Sequence, residues 1–372
     1  MSVNSRPHGR TGSVIKPGRI AVVVCLGALL LAVFPSLGYA KSMPNLYTVH
    51  PLVSDVAGMA PVVDLNLVNG WGIAAGPATP WWVSDNGTDT STLYDGAGVP
   101  RPLVVSVIEA PTGVVFNGFA DFRVSAGSAS LPARFLFATE RGTILGWNPN
   151  VPSAGSTTAF VVKDRSGVGA VYKGLAIGSV GANPYLYATD FVNGRVDVFG
   201  GNFALQTWAG AFVDPKLPEG YGPFGIQAVG DRLFVTFAKQ NPPSADEMAG
   251  QGLGYVDEFG LDGTFVARVA TRGLLNAPWG VAMAPSDFGR FSGCLLVGNF
   301  GDGHINAYAQ NPKGVWTPQG TLRTGQGKPL FVDGLWGIGF GNGNASGPAT
   351  TLYFAAGPDD ESHGLFGSIT TP

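Results

Sequence analysis

Cysteine, histidine and charge are all scarce in this chain. Two cysteines (Cys25 and Cys294) and four histidines occur in 372 residues, and charged residues make up only 13%. With one cysteine beyond the N-terminal segment, an internal disulfide is excluded. Cys294 lies in the apolar run Cys294-Leu295-Leu296-Val297 and reads as a small buried hydrophobe. Three histidines outside the leader, His50, His304 and His363, are too few and too scattered for a multi-histidine metal site. Lys and Arg number 22 against 25 Asp and Glu, with no basic cluster. Nucleic acid is therefore not an expected partner, because its phosphates demand concentrated positive charge. Also missing are Gly-x-Ser-x-Gly, the phosphate-binding Gly-x-x-x-x-Gly-Lys-Ser/Thr loop, His-Glu-x-x-His and Cys-x-x-Cys. No segment shows a sustained helical period with caps.

The N-terminus has a distinct character. Residues 1–19 carry Arg6, Arg10, Lys16 and Arg19 and no acidic residue. An apolar run from Ile20 to Phe34 follows, then small residues at Gly38 and Ala40. That order predicts a signal peptide over residues 1–40, too short in its apolar part for a membrane span. Cleavage after Ala40 removes four positive charges and no negative one, so the formal net charge goes from −3 to −7. The expected product is a secreted, periplasmic or cell-surface domain over residues 41–372, with no membrane span of its own.

What remains is rich in Gly (56) and Pro (28) yet 45% hydrophobic, a composition of many turns between short strands. A Gly followed by an apolar residue recurs six times, at Trp71-Gly72-Ile73, Asn117-Gly118-Phe119, Lys173-Gly174-Leu175, Phe224-Gly225-Ile226, Trp279-Gly280-Val281 and Trp336-Gly337-Ile338. After each comes a strand rich in large apolar residues: Trp81–Asp85, Leu136–Glu140, Leu186–Asp190, Leu233–Phe237, Leu295–Asn299 and Leu352–Ala356. Third and fourth strands follow, as in Gly194–Phe199 and Thr264–Val269. The last copy lacks room for a fourth strand, and Leu46–Val53 is a spare one at the other end. The spacing predicts an all-β fold: a six-bladed β-propeller of four-stranded antiparallel blades, its ring closed by the N-terminal strand in the last blade.

These repeats resemble NHL-type and gluconolactonase-type propellers. Leu67-Val68-Asn69-Gly70-Trp71-Gly72, Asn276-Ala277-Pro278-Trp279-Gly280 and Asp359-Asp360-Glu361-Ser362-His363-Gly364 are more closely similar to a family of secreted bacterial propellers, some with a PEP-CTERM sorting tail. The resemblance implies fold and export, and no activity.

In antiparallel blades the start of each first strand and the end of each second lie at one mouth of the channel. Aromatic residues precede the marker Gly in four blades and suit packing between blades. Asn117 and Lys173 depart from them. With Glu140, Asp190 and Asn299 they form the expected ligand-binding set, and Arg141 stands beside them. The alternative is that Glu140 and Asp190 cap hairpins while Lys173 pairs with one of them. Asp85, Asn117, Glu140, Asp190 and Asn299 also supply oxygens that suit Ca²⁺, as the gluconolactonase resemblance implies. Lys173 at the same mouth would repel a cation, so Ca²⁺ is not favoured and the cofactor stays open. Asp359-Asp360-Glu361 reads as a solvated loop. The insertion Ala238–Gly254, with Asp246 and Glu247, should cover this mouth. Two functions remain open: a binding or interaction module for a small-molecule or cell-surface ligand, and a metal-dependent hydrolase of lactonase type.

Overall fold

The computed structural model describes residues 43–372; the predicted leader and Cys25 lie outside them. Six blades of four antiparallel strands surround a central channel. Blade one runs Gly70–Ala74, Trp81–Asp85, Thr90–Tyr94 and Val105–Ser106 from the inside out. Blade two is Pro111–Phe116, Phe135–Thr139, Thr143–Trp147 and Phe160–Asp164. The inner strands of blades three to six are Tyr172–Val180, Tyr221–Val229, Pro278–Met283 and Leu335–Phe340. Among the described residues no helix is long and apolar enough to cross a membrane.

Both faces of each blade are buried, so second strands read as nearly unbroken apolar runs. Phe135 and Phe137 of blade two pack on Trp82 and Leu93 of blade one. Leu136 and Ala138, pointing the other way, pack on Leu175 and Leu186 of blade three. The same pattern produces one apolar layer between every pair of neighbouring blades.

Ring closure follows the expected route. Thr48–Ser54 pairs antiparallel with Leu365–Thr370 and becomes the fourth strand of blade six, with the short parallel strand Val62–Val63 outside it. Tyr47, just before it, is buried, and its hydroxyl donates to the Phe288 carbonyl of blade five at 3.1 Å.

One repeat marker needs correcting. The blade-two glycine is Gly113, five residues before Gly118. Gly118 lies beyond the inner strand, where a Cβ would meet nothing nearer than a Phe116 ring carbon at 3.7 Å. A Cβ on Gly113 would come within 2.3 Å of the Leu175 nitrogen in blade three. Gly72, Gly174, Gly225, Gly280 and Gly337 meet the next blade's backbone in the same way, at 2.5, 2.8, 2.0, 2.5 and 2.6 Å. These glycines form the channel's waist, and the requirement there is close approach of two backbones. Segment 117–134 is instead a connection containing the hairpin Arg123–Ala126 and Ala129–Pro132.

Gly225→Ala should force blades four and five apart and cost about 2–3 kcal/mol, as overpacking does. Gly167→Ala, where a Cβ meets nothing within 4 Å, is the control. A thermal melt should show a large fall for the first variant and almost none for the second.

Candidate functional site

The two mouths of the channel differ completely. At the mouth where the inner strands begin, Trp71, Phe224, Trp279 and Trp336 turn toward the axis and pack on one another. Trp71 and Trp336 stack with ring centres 3.7 Å apart, and Trp279 meets Trp336 edge-on at 5.7 Å. The aromatic residues before the marker glycines thus plug the channel, whereas packing between blades was expected of them. Blade two contributes Thr112 at this position, its hydroxyl donating to the Tyr172 carbonyl at 2.8 Å.

Lys173 is the polar member of the plug. It is 1% exposed, and its Nζ lies 5.0 Å from the Trp71 ring centre. Nζ donates to Glu140 Oε1 at 2.6 Å and lies 3.6 Å from Asp246 Oδ1. From Glu140 a chain of side-chain hydrogen bonds continues around the mouth. Asn86 donates to Glu140 at 3.2 Å, Asn69 to Asn86 at 3.3 Å, and Asn69 also to Glu361 at 3.0 Å. The chain links blades six, one, two and three, and the ion pair of Lys173 with Asp246 adds blade four.

Local structure aims these groups inward. The blade-four insertion folds back through Glu247–Met248, which pairs with Lys239 and Gln240 and carries Asp246 over the mouth, as expected of that loop. In blade six Asp359, Asp360 and Glu361 take three successive left-handed conformations, with φ of 57°, 50° and 64°. Such backbone is strained outside glycine and persists only where its surroundings impose it.

Electrostatics follow from four carboxylates sharing one buried ammonium. Burial would lower the Lys173 pKa, but the charges of Glu140, Glu247 and Asp246 outweigh it and the net shift is upward. Burial pushes Glu247 up to about 7, with Lys173 opposing. Glu361 is raised as well, by burial first, against its Asn69 bond and Lys173.

The other expected site residues fall elsewhere. Asn117 lies at the far end of its strand, because the marker glycine is Gly113. There its amide braces the connection, donating to the Asp121 and Ala133 carbonyls and accepting from Phe119 N–H. Asp190 is buried in its own hairpin, accepting from Val171 N–H and Asn193 and pairing with Arg195 at 3.0 Å. Burial raises its pKa in spite of these partners. Asn299 donates to the Leu274 carbonyl and to Asp302 in blade five. Asp85 accepts from Thr90 and from Thr92 twice, and its pKa is raised by burial. Arg141 is exposed, beside a groove lined by Asp89, Glu109 and Asp164. Of the expected set only Lys173 and Glu140 meet. The recurring polar residue at the end of the second strand braces the following hairpin, and the spacing Asp85 to Thr90 and Thr92 is its trace in the sequence. A Ca²⁺ ion does not fit these residues, because Asp85, Asn117 and Asp190 spend their oxygens within separate segments and Glu140 on Lys173, which leaves only the lone amide oxygen of Asn299 free. Asn69 and Asn86 carry no mark in the sequence, and Glu361, expected in a solvated loop, instead accepts from Asn69, because the partners of all three are distant in the chain.

The opposite mouth is open. A cavity of about 450 Å³ runs up from it, walled by the far halves of the inner strands, with Ile73, Val114, Leu175, Val281 and Ile338 around its circumference. No lining residue is ionisable. At the glycine waist it narrows to about 30 Å³, and the plug closes it. The channel is a blind funnel whose lining side chains are mostly apolar.

These features define the class: a six-bladed β-propeller with one closed, charged mouth and one open, apolar mouth. No family model matches the chain. It belongs to the same family as two Acanthamoeba polyphaga mimivirus proteins, uncharacterized protein R648 and uncharacterized protein L690. The first is 34% identical over 340 residues, spanning 87% of this chain and 80% of the relative. The second is 35% identical over 339 residues, spanning 87% and 85%. Among solved structures, two glucose dehydrogenases match at TM-scores of 0.52 and 0.51. They are 14% and 13% identical and cover 87% of this chain and 99% and 100% of theirs. At that identity the likeness concerns the fold alone. These relatives are viral, so membership of a secreted bacterial family stays an expectation from the motifs.

The Glu247 shift has a definite sign. Its folded pKa of about 7 exceeds the ordinary 4.5, so the folded state holds a proton that the unfolded state has lost between those values. Stability should therefore fall as pH rises from 4.5 to 7. Urea unfolding at pH 5 and pH 8 should show this loss in the native chain and a smaller one in Glu247→Gln.

Proposed function

We propose that this protein is an exported binding propeller that takes a small, largely apolar ligand into the open end of its channel. The blind funnel carries this reading. Its volume of about 450 Å³ lies within the roughly 300–1,000 Å³ usual for small-molecule pockets. Its lining offers neither an acid, a base nor a nucleophile, which favours binding over catalysis. Ile73, Val114, Leu175 and Ile338 offer apolar surface, and the Gln227 carboxamide at the mouth is exposed to hydrogen-bond a polar group. Rigid walls support the same reading, because each inner strand is locked to its neighbour at the waist.

The hydrolase alternative lacks a comparable feature. Among the described residues no three His, Cys, Asp or Glu side chains stand where they could hold a metal together. The charged mouth serves better as a clasp: its hydrogen bonds and one ion pair join five blades, and its carboxylates surround Lys173.

A neutral fluorescent probe, N-phenyl-1-naphthylamine, should brighten on binding to the purified domain. Gln227→Trp, which places a large side chain at an exposed position of the funnel mouth, should abolish that signal while the melting curve is kept. An unchanged signal in this variant would rule the funnel out as the binding site.

Export rests on the basic, apolar, small-residue order of the N-terminus. Expressed from its full sequence in a Gram-negative host, the protein should collect in the periplasm with Lys41 as its first residue. N-terminal sequencing checks this, and an intact Met1 on cytoplasmic protein would refute it.

A further inference from the structure

We propose that the funnel's ligand is an amphipathic monoanion, with its apolar body in the channel and its acidic group held by Arg134. This rests on the funnel being the ligand's entry.

Phe116 is the pivot. It ends the inner strand of blade two, and its half-buried ring lines the funnel on one side. On the other side the same ring lines a second cavity of about 430 Å³, between blades one and two. The two cavities therefore adjoin across one side chain. Trp82, Phe135 and Trp147 make the second cavity aromatic: Trp82 stacks on Phe135 at 4.0 Å and tilts against Trp147 at 4.8 Å.

Arg134 is the only charged residue lining this groove. Its backbone is fixed, the amide donating to the Trp147 carbonyl and the carbonyl accepting from Asn117 N–H. Its side chain is exposed, with no carboxylate within 4.0 Å and no hydrogen-bond partner among the described residues. Of the ten other arginines among the described residues, Arg101, Arg165, Arg195, Arg232 and Arg268 pair with carboxylates. A guanidinium without a counter-ion, rigidly based beside aromatic rings, is suited to an oxyanion such as a carboxylate or sulfonate. The funnel has no charged group of its own, so an acidic ligand would leave its charged end at this rim.

Two probes of one ring system separate the charge from the apolar body: 8-anilinonaphthalene-1-sulfonate, an anion, and neutral N-phenyl-1-naphthylamine. The native domain should bind the anion more tightly. Arg134→Gln should weaken the anion by about tenfold, the usual worth of a hydrogen bond to a charged group, and the neutral probe less than twofold. Arg134→Glu should weaken the anion further. Gln227→Trp should abolish both. If Arg134→Gln leaves both affinities unchanged, or lowers both equally, the assignment of Arg134 is wrong while the funnel stands. If neither probe binds the native domain, the funnel reading itself fails and this inference with it.

Discussion

Six close contacts at the channel waist, glycine against the backbone of the next blade, determine where the other side chains point. Their absent Cβ atoms let each inner strand approach its neighbour more closely than any side chain would permit. This fixes the radius of the ring. Above the waist the residue before each glycine is thrown toward the axis, so Trp71, Phe224, Trp279 and Trp336 collide into a plug. Below it the strands diverge and their apolar residues wall an open funnel. One spacing constraint thus makes a closed end and an open end from the same repeat.

The closed end has an electrostatic consequence. Lys173 occupies an aromatic position in the repeat, and burying its ammonium would be costly alone. Glu140 and Asp246 offset that cost directly, and Glu247 and Glu361 add negative charge nearby. Four carboxylates are more than one ammonium can neutralise, and burial first, with like charge nearby adding to it, raises the pKa values of Glu247 and Glu361. The arrangement joins blades through contacts of high sequence separation, such as Asn69 with Glu361. It supplements the apolar layers and the N-terminal strand in holding the ring closed.

Fold class, blade number and the closing strand were legible in the sequence, because each depends on local pattern. Alternation of side chains along a strand has period two, turns need glycine, and a missing strand at one end matches a spare one at the other. The same local reasoning placed the blade-four insertion at the right mouth. It misplaced the second marker, since Asn117-Gly118-Phe119 imitates the motif. Only contact with Leu175 distinguishes Gly113 from Gly118, and that contact spans more than sixty residues. Asn117 was misassigned for this reason.

The sequence by itself therefore determined the repeat, its strand order, and Lys173 as a departure from the aromatic positions. Tertiary structure alone decided which polar groups meet. Glu140 reaches Lys173, whereas Asp190 turns to Arg195 within its own hairpin. It also decided that the aromatics close one mouth and that open space lies at the other. Strand periodicity specifies which face a side chain occupies, but the partner across the axis depends on the radius at which six blades close. That radius is set by backbone contacts between blades, which no single repeat contains.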